Sequence, residues 1–372
     1  MQKSSLPFIC IAFASVVLAF VSSRSLAQDG LYKPGAIASG EGLRAPLDPP
    51  AQPEDAEVAT DGKTNGTWLV EPDVKLAYTA VGEGRPVVVV HGGPGVPYAR
   101  PWTGVAEMAD DFKFYFYDQR GCGESTRLID EVDSPNFFEN MTALDKALGI
   151  AAQIADIERI RRILGEEKLL LVGHSYGGFL ASLYAAEFPE HVEKLVLVAP
   201  AGLLQLPNPE VDMFSRLNAT LTGESLAEFQ AALAAHMNFG TLFTKSEAQL
   251  ALENRAFGNA LSAAMGEEMP EGSDQVRNGG WMVQAQYFAM GMQHDYRDFL
   301  KDVTAATLIL HGEQDELMLA GTETYADALS NAELQIIKPD TAKRVGHFPF
   351  EDEPQAFAAR VRMFLKGDSA AK

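Results

Sequence analysis

Cysteine is nearly absent from the 372 residues: Cys10 lies in an N-terminal apolar run and Cys122 in the interior of the chain. Once a leader carrying Cys10 is removed, Cys122 has no partner. An intramolecular disulfide is then excluded and stability must come from a packed core. The chain also lacks Cys-x-x-Cys, His-Glu-x-x-His and any other metal-ligand spacing, so nothing points to a bound metal. Positive charge is scarce: 30 Lys and Arg stand against 51 Asp and Glu, for a formal charge of −21. Such a chain repels polyanions, which argues against nucleic acid and anionic membrane surfaces as partners. The longest apolar run, 6–21, contains Pro7 and falls short of the roughly 20 residues that span a bilayer. No internal repeat is evident.

What is present begins with that apolar run. Lys3 precedes it, Ser22-Ser23-Arg24 ends it, and Ser25-Leu26-Ala27 offers small residues at a cleavage site. This is the layout of a secretory signal peptide over residues 1–27, so the mature protein is expected to be periplasmic or secreted, with no stable membrane partner. Residues 28–65, including PLDPPAQPEDAEVATDG, show no periodic apolar face and are expected to form a flexible linker.

From Gly66 onward the pattern changes. WLVEPDVKLAYTAVG alternates about Asp73 like a hairpin. The aliphatic runs at Val87–Val90, Phe114–Tyr117, KLLLVGHS, KLVLVAP, ATLILHG and LQIIKP are expected strands, several of them followed by glycine clusters. Between them lie helical stretches. Ile150, Ile154, Ile157, Ile160 and Leu164 make one stripe, FLASLYAAEF a second helix, and EDEPQAFAARVRMFLK the last. Strands alternating with helices imply an α/β fold, a mostly parallel sheet with helices on both faces. Residues 203–302 interrupt the alternation with helical spacing rich in Ala, Leu, Glu and Met, and read as an inserted helical cap. The core is thus expected in two parts, 66–202 and 303–372.

Function in such a sheet sits at the carboxyl ends of strands. Gly173-His174-Ser175-Tyr176-Gly177 lies at one, in the G-x-S-x-G pattern that turns a strand sharply into a helix and presents the serine. A serine hydroxyl needs a base. With a nucleophile elbow the order is serine, acid, histidine. Of seven histidines only His347 follows the last expected strand, which makes it the candidate base. Asp315, three residues past Gly312, is the candidate acid, with Glu313 and Glu316 as alternatives. The backbone N–H of Tyr176 is one candidate oxyanion donor. Gly93, or else Gly92, in His91-Gly92-Gly93-Pro94-Gly95 is the other. The triad needs no cofactor. Cys122 reads as a small loop residue, since no base is assigned to it.

HGGPG at 91–95, DQRGCGES at 118–125, GHSYGG at 173–178, HGEQD at 311–315 and GHFPFEDEP at 346–354 together resemble the α/β-hydrolase superfamily, and within it the prolyl-iminopeptidase-like serine peptidases. The resemblance covers roughly residues 66–372. It implies an oxyanion role for the first cluster and a site-shaping role for the second. The chain departs at the elbow, which in the family usually reads GGSWG. The family's cap also carries acidic residues for the substrate's free amine. LENRAF at 252–257 weakly resembles one of these segments, making Glu253 the candidate substrate-binding residue, and no counterpart of the tryptophan-preceded second glutamate is found. The expectation is an exported serine hydrolase, an aminopeptidase on short peptides or amino-acyl amides. A carboxylesterase or other small-molecule carbonyl hydrolase is the alternative, and a non-catalytic binding protein on the same fold a third.

Overall fold

The computed structural model describes residues 31–52, 57–58 and 63–367; the expected signal peptide lies outside the described residues. Eleven strands are described: β1 (Glu57–Val58), β2 (Lys63–Glu71), β3 (Val74–Val81), β4 (Arg85–Val90), β5 (Phe112–Tyr117), β6 (Leu169–His174), β7 (Val192–Val198), β8 (Gln205–Leu206), β9 (His294–Asp295), β10 (Ala306–Gly312) and β11 (Ala332–Ile337). Nine form one sheet in the order β1-β2-β3-β5-β4-β6-β7-β10-β11. The contacts from β5 through β11 are parallel, and the β1–β2–β3 meander joins β5 antiparallel.

The unbroken aliphatic runs follow from burial on both sides. Alternate side chains of a strand point to opposite faces. Val88 and Val90 join Leu169, Leu171, Leu195, Leu197 and Ile309 beneath α2 (Ile150–Leu164) and α3 (Tyr176–Glu187). Val87 and Val89 join Leu170, Val172, Val196, Val198, Leu308 and Leu310 on the other face, covered by Phe357, Val361 and Leu365. Those three belong to the last helix, α10 (Pro354–Lys366), which follows α8 (Glu316–Ala328) and the short α9 (Pro349–Asp352). Every expected strand and the three expected helices are present. Two core helices were not expected: α1 (Phe137–Leu148), which lies before α2, and α8.

The insertion contains α4 (Met213–Thr220), α5 (Gly223–His236), α6 (Glu247–Met265) and α7 (Trp281–Met290). Leu217, Phe229, Leu233 and Phe257 give α4–α6 a small core of their own. By contrast α7 is buried all round except at Tyr287, and packs with Leu144 and Leu148 of α1. It forms the floor on which the cap stands. The insertion is not wholly helical: β8 and β9 pair as a ribbon where the chain leaves and re-enters the core.

The expected flexible linker needs correction. Residues 31–52 lie against the domain. Tyr32 and Ile37 are buried in the main core, and Leu43 and Leu47 pack on it. The Tyr32 N–H donates to the Ala289 carbonyl at 3.0 Å. The Tyr32 hydroxyl and the Gly35 N–H both donate to the buried Glu187 carboxylate, at 2.9 and 2.7 Å. Single anchors spaced along a strap of turns leave no periodicity to detect.

Candidate active site

The elbow is built by close approach. Ser175 takes φ 55° and ψ −122°, in the left-handed half of backbone space that L-residues avoid. Its N–H donates to the Val198 carbonyl at 2.9 Å, and its carbonyl accepts from the Ala201 N–H at 3.0 Å. A side chain at Gly173 would strike the Gly177 carbonyl, and one at Gly177 the carbonyls of Val90 and His91. These two positions therefore require glycine, which is the physical content of the motif.

His347 and Asp315 meet, although they come from separate turns. The His347 Nδ1–H donates to Asp315 Oδ2 at 2.8 Å, which leaves Nε2 with a free lone pair. Both side chains are buried. Burial opposes charge on His347, but the Asp315 carboxylate, with Glu267 adding to it, outweighs burial and the pKa is raised above the ordinary value. Asp315 is itself held from behind, because His311 Nε2–H donates to its carbonyl at 2.8 Å. Burial lowers the His311 pKa and keeps that ring neutral. Of the rival acids, Glu313 pairs with Lys338 at 3.2 Å and Glu316 is exposed.

His347 lies beside the elbow. Its carbonyl accepts from His174 Nε2–H at 2.9 Å, and the two ring centroids are 4.9 Å apart. Among the described residues no hydrogen bond joins Ser175 Oγ to His347. Such bonds are often long until substrate is bound.

The glycine loop also reaches the elbow. A Cβ on Gly92 would stand 2.9 Å from Ser175 Cβ, so Gly92 packs directly against the serine. Gly93 follows with φ 118°, a conformation that glycine adopts freely. Tyr176 is the first residue of α3, so its N–H has no acceptor within the helix. Its side chain turns away and donates to Gln286 Oε1 of α7 at 2.6 Å.

His91 fastens this loop to the 118–125 loop. Its Nε2 accepts from the Gln119 N–H at 3.1 Å, and Gln119 Nε2 donates to the His91 carbonyl at 2.8 Å. Burial depresses the His91 pKa to about 4, so the ring is neutral and accepts that bond. The next residue, Arg120, is fully buried. It binds Asp156 through Nε at 2.6 Å and Glu71 through Nη2 at 2.7 Å, while Arg159 joins both acids at 3.1 Å. Two carboxylates and two guanidiniums thus balance in the interior and anchor the loop. Cys122 sits 3.4 Å from His91 Nε2, and burial pushes its thiol pKa well up, which leaves it a poor nucleophile.

Glu253 is not brought to this site. It lies on the exposed side of α6, paired with Lys245 at 2.6 Å. The adjacent Asn254 is the residue that turns inward, donating to the Gly279 carbonyl at 2.7 Å. The cap carboxylate that does reach the histidine is Glu267, whose Oε1 accepts from the His347 N–H at 3.1 Å. In the sequence it is one of several acids in GEEMPEG, and nothing local distinguishes it.

Residues 85–354 match the family described as alpha/beta hydrolase fold. The chain belongs to that family, and the fold and elbow class it with its serine hydrolases. The proline iminopeptidase of Heyndrickxia coagulans is 24% identical over 299 residues, covering 76% of this chain and 91% of its own. Among solved structures, VinJ has a TM-score of 0.58 at 19% identity, over 82% of this chain and 99% of VinJ. The proline iminopeptidase of Mycobacterium smegmatis has a TM-score of 0.55 at 20% identity, over 82% and 98%. These structural likenesses concern the fold.

Proposed function

We propose that the chain is an exported serine hydrolase, resembling proline iminopeptidases, that acts on short peptides or amino-acyl amides. The observation that carries the reading is the 2.8 Å bond from His347 to Asp315, in a turn that packs against the Ser175 elbow. In this mechanism Ser175 Oγ attacks the carbonyl carbon while His347 Nε2 takes its proton. Asp315 holds the ring and stabilises the imidazolium. The N–H groups of Gly93 and Tyr176 bind the oxyanion. His347 then protonates the leaving group, and water hydrolyses the acyl-enzyme. Export rests on the pattern of residues 1–27.

An esterase is the second reading, and a specific observation favours it. An aminopeptidase needs a free carboxylate for the substrate amine, yet Glu253 is paired with Lys245 and Glu267 with Arg344. The test compares mature protein on proline and alanine anilides, an N-blocked anilide and short-chain nitrophenyl esters, with Ser175→Ala as blank. Cleavage of the free-amine anilides alone is expected. Turnover of esters alone would discard the peptidase reading. No turnover, together with no fluorophosphonate labelling of Ser175, would discard the hydrolase reading.

A further inference from the structure

Three consecutive amides in the turn that carries His347 are each bound by a side chain from a different element. The Val345 N–H donates to Gln314 Oε1 at 2.7 Å, and the Gly346 N–H to Asp352 Oδ2 at 2.7 Å. Both acceptors belong to the core. The third, the His347 N–H, donates to Glu267 of the cap. Glu267 is placed there by the end of α6. Gly266 takes the left-handed conformation at φ 66°, and the Glu267 N–H closes back on the Ser262 carbonyl at 2.9 Å. The chain therefore leaves the helix turned toward the core.

Glu267 is more than a passing contact. Its side chain is only 5% exposed, and it takes both ends of the Arg344 guanidinium at 2.7 Å. Arg344 in turn donates to the Gln314 carbonyl at 3.1 Å, next to Asp315. A Cβ on Gly346 would lie 2.5 Å from both Glu267 oxygens, so the turn has no room for a side chain beneath this pair. With its charge engaged by Arg344, Glu267 is occupied as a clamp and not open as a receptor for a substrate amine.

We propose that Glu267, carried by the cap, is a positioning residue for His347: it grips the backbone of the histidine's turn and holds the base from the cap side. The inference rests on the Ser175–His347 hydrolase reading. It has a consequence that a plain structural tie lacks. The groups facing His347 are Asp315 from the turn after β10, His311 of β10, His174 at the end of β6, Arg344 of its own turn, Asp352 of α9 and Glu267 of the cap. Among these, Glu267 raises and Arg344 lowers the basicity of His347. Removing either one must shift the acid limb of activity in opposite directions.

The experiment measures the rate of fluorophosphonate labelling against pH, which needs no knowledge of the substrate. Glu267→Gln keeps an oxygen for the His347 N–H but loses the charge. Its acid limb is expected about 0.5 units or more lower. Arg344→Gln is expected to move the limb up. Glu267→Ala, folded by circular dichroism, is expected to label about 10-fold or more slowly at its plateau, because the base is misaligned. A folded Glu267→Ala with the wild-type plateau and limb would overturn the proposal. Should that variant fail to fold, limbs in Glu267→Gln and Arg344→Gln that stay put or move together would overturn it equally. Wild type that does not label, or Ser175→Ala that labels as well as wild type, would instead bring down the hydrolase reading and this inference with it.

Discussion

Replacing Asp315 by asparagine tests the pairing on which the mechanism depends. The side chain keeps its shape, so the buried site should still pack. What changes is charge and donor pattern. The carboxylate accepts from His347 Nδ1–H at 2.8 Å, and both residues are largely screened from solvent. In the proposed mechanism His347 becomes an imidazolium beside Asp315 as Ser175 gives up its proton. Two unit charges about 4 Å apart, at an effective dielectric of about 20, attract by about 4 kcal/mol. That corresponds to about three decades in rate. The asparagine amide can also donate to Nδ1 and select the wrong tautomer, an effect worth about 10⁴ in a comparable triad. Asp315→Asn is therefore expected to lower kcat by about 10³–10⁴. KM should stay within about 3-fold, because the lost interaction belongs to the transition state. Steady-state kinetics on whichever anilide or ester wild type turns over reads both parameters. Glu313→Gln, at an outward position paired with Lys338, is the control and should match wild type. An Asp315→Asn enzyme within 10-fold of wild type in kcat would refute the assignment of the acid.

Other predictions concern the base, the buried charges and the N-terminal strap. Since Asp315 raises the His347 pKa and only the neutral ring can act as base, kcat/KM should fall as pH drops through a value above the ordinary imidazole pKa of about 6.5. A rate constant that stays flat from pH 8 to 5 would exclude His347 as the base. Arg120→Met leaves Glu71 with Arg159 and the partly exposed Arg44 and leaves Asp156 with Arg159 alone, and should cost about 3–5 kcal/mol in urea unfolding. A loss below 1 kcal/mol would mean that the network contributes no anchoring. Tyr32→Phe removes a donor from the buried Glu187 carboxylate and should cost about 1–2 kcal/mol. Unchanged stability would show that the strap is not tied there.

Local periodicity made the sheet legible, because strands buried on both faces must be aliphatic throughout, as Val87–Val90 are. The elbow around Ser175 was legible from its glycines. Gly173 is required by a contact inside the strand–turn–helix unit and Gly177 by the carbonyls of Val90 and His91 at the end of neighbouring β4, yet both requirements fall within five consecutive residues. Asp315 and His347 could be inferred from chain order, since each follows a strand of a sheet already recognised. The strap over 31–52 was missed because its burial rests on scattered single anchors. Glu253 was favoured on a local likeness that cannot tell which side of a helix meets the core, and the structure turns it to solvent.

The chain by itself thus determined the layered α/β architecture and the elbow, consequences of repeating burial and of close backbone approach at a few glycines. Only the tertiary structure decided which cap carboxylate reaches the histidine. Glu267 and His347 are 80 residues apart in sequence, and their contact depends on how α6 ends, where the cap rests and where Arg344 lies. No pattern along the chain encodes a meeting of that kind, because each partner satisfies its own local geometry equally well without the other.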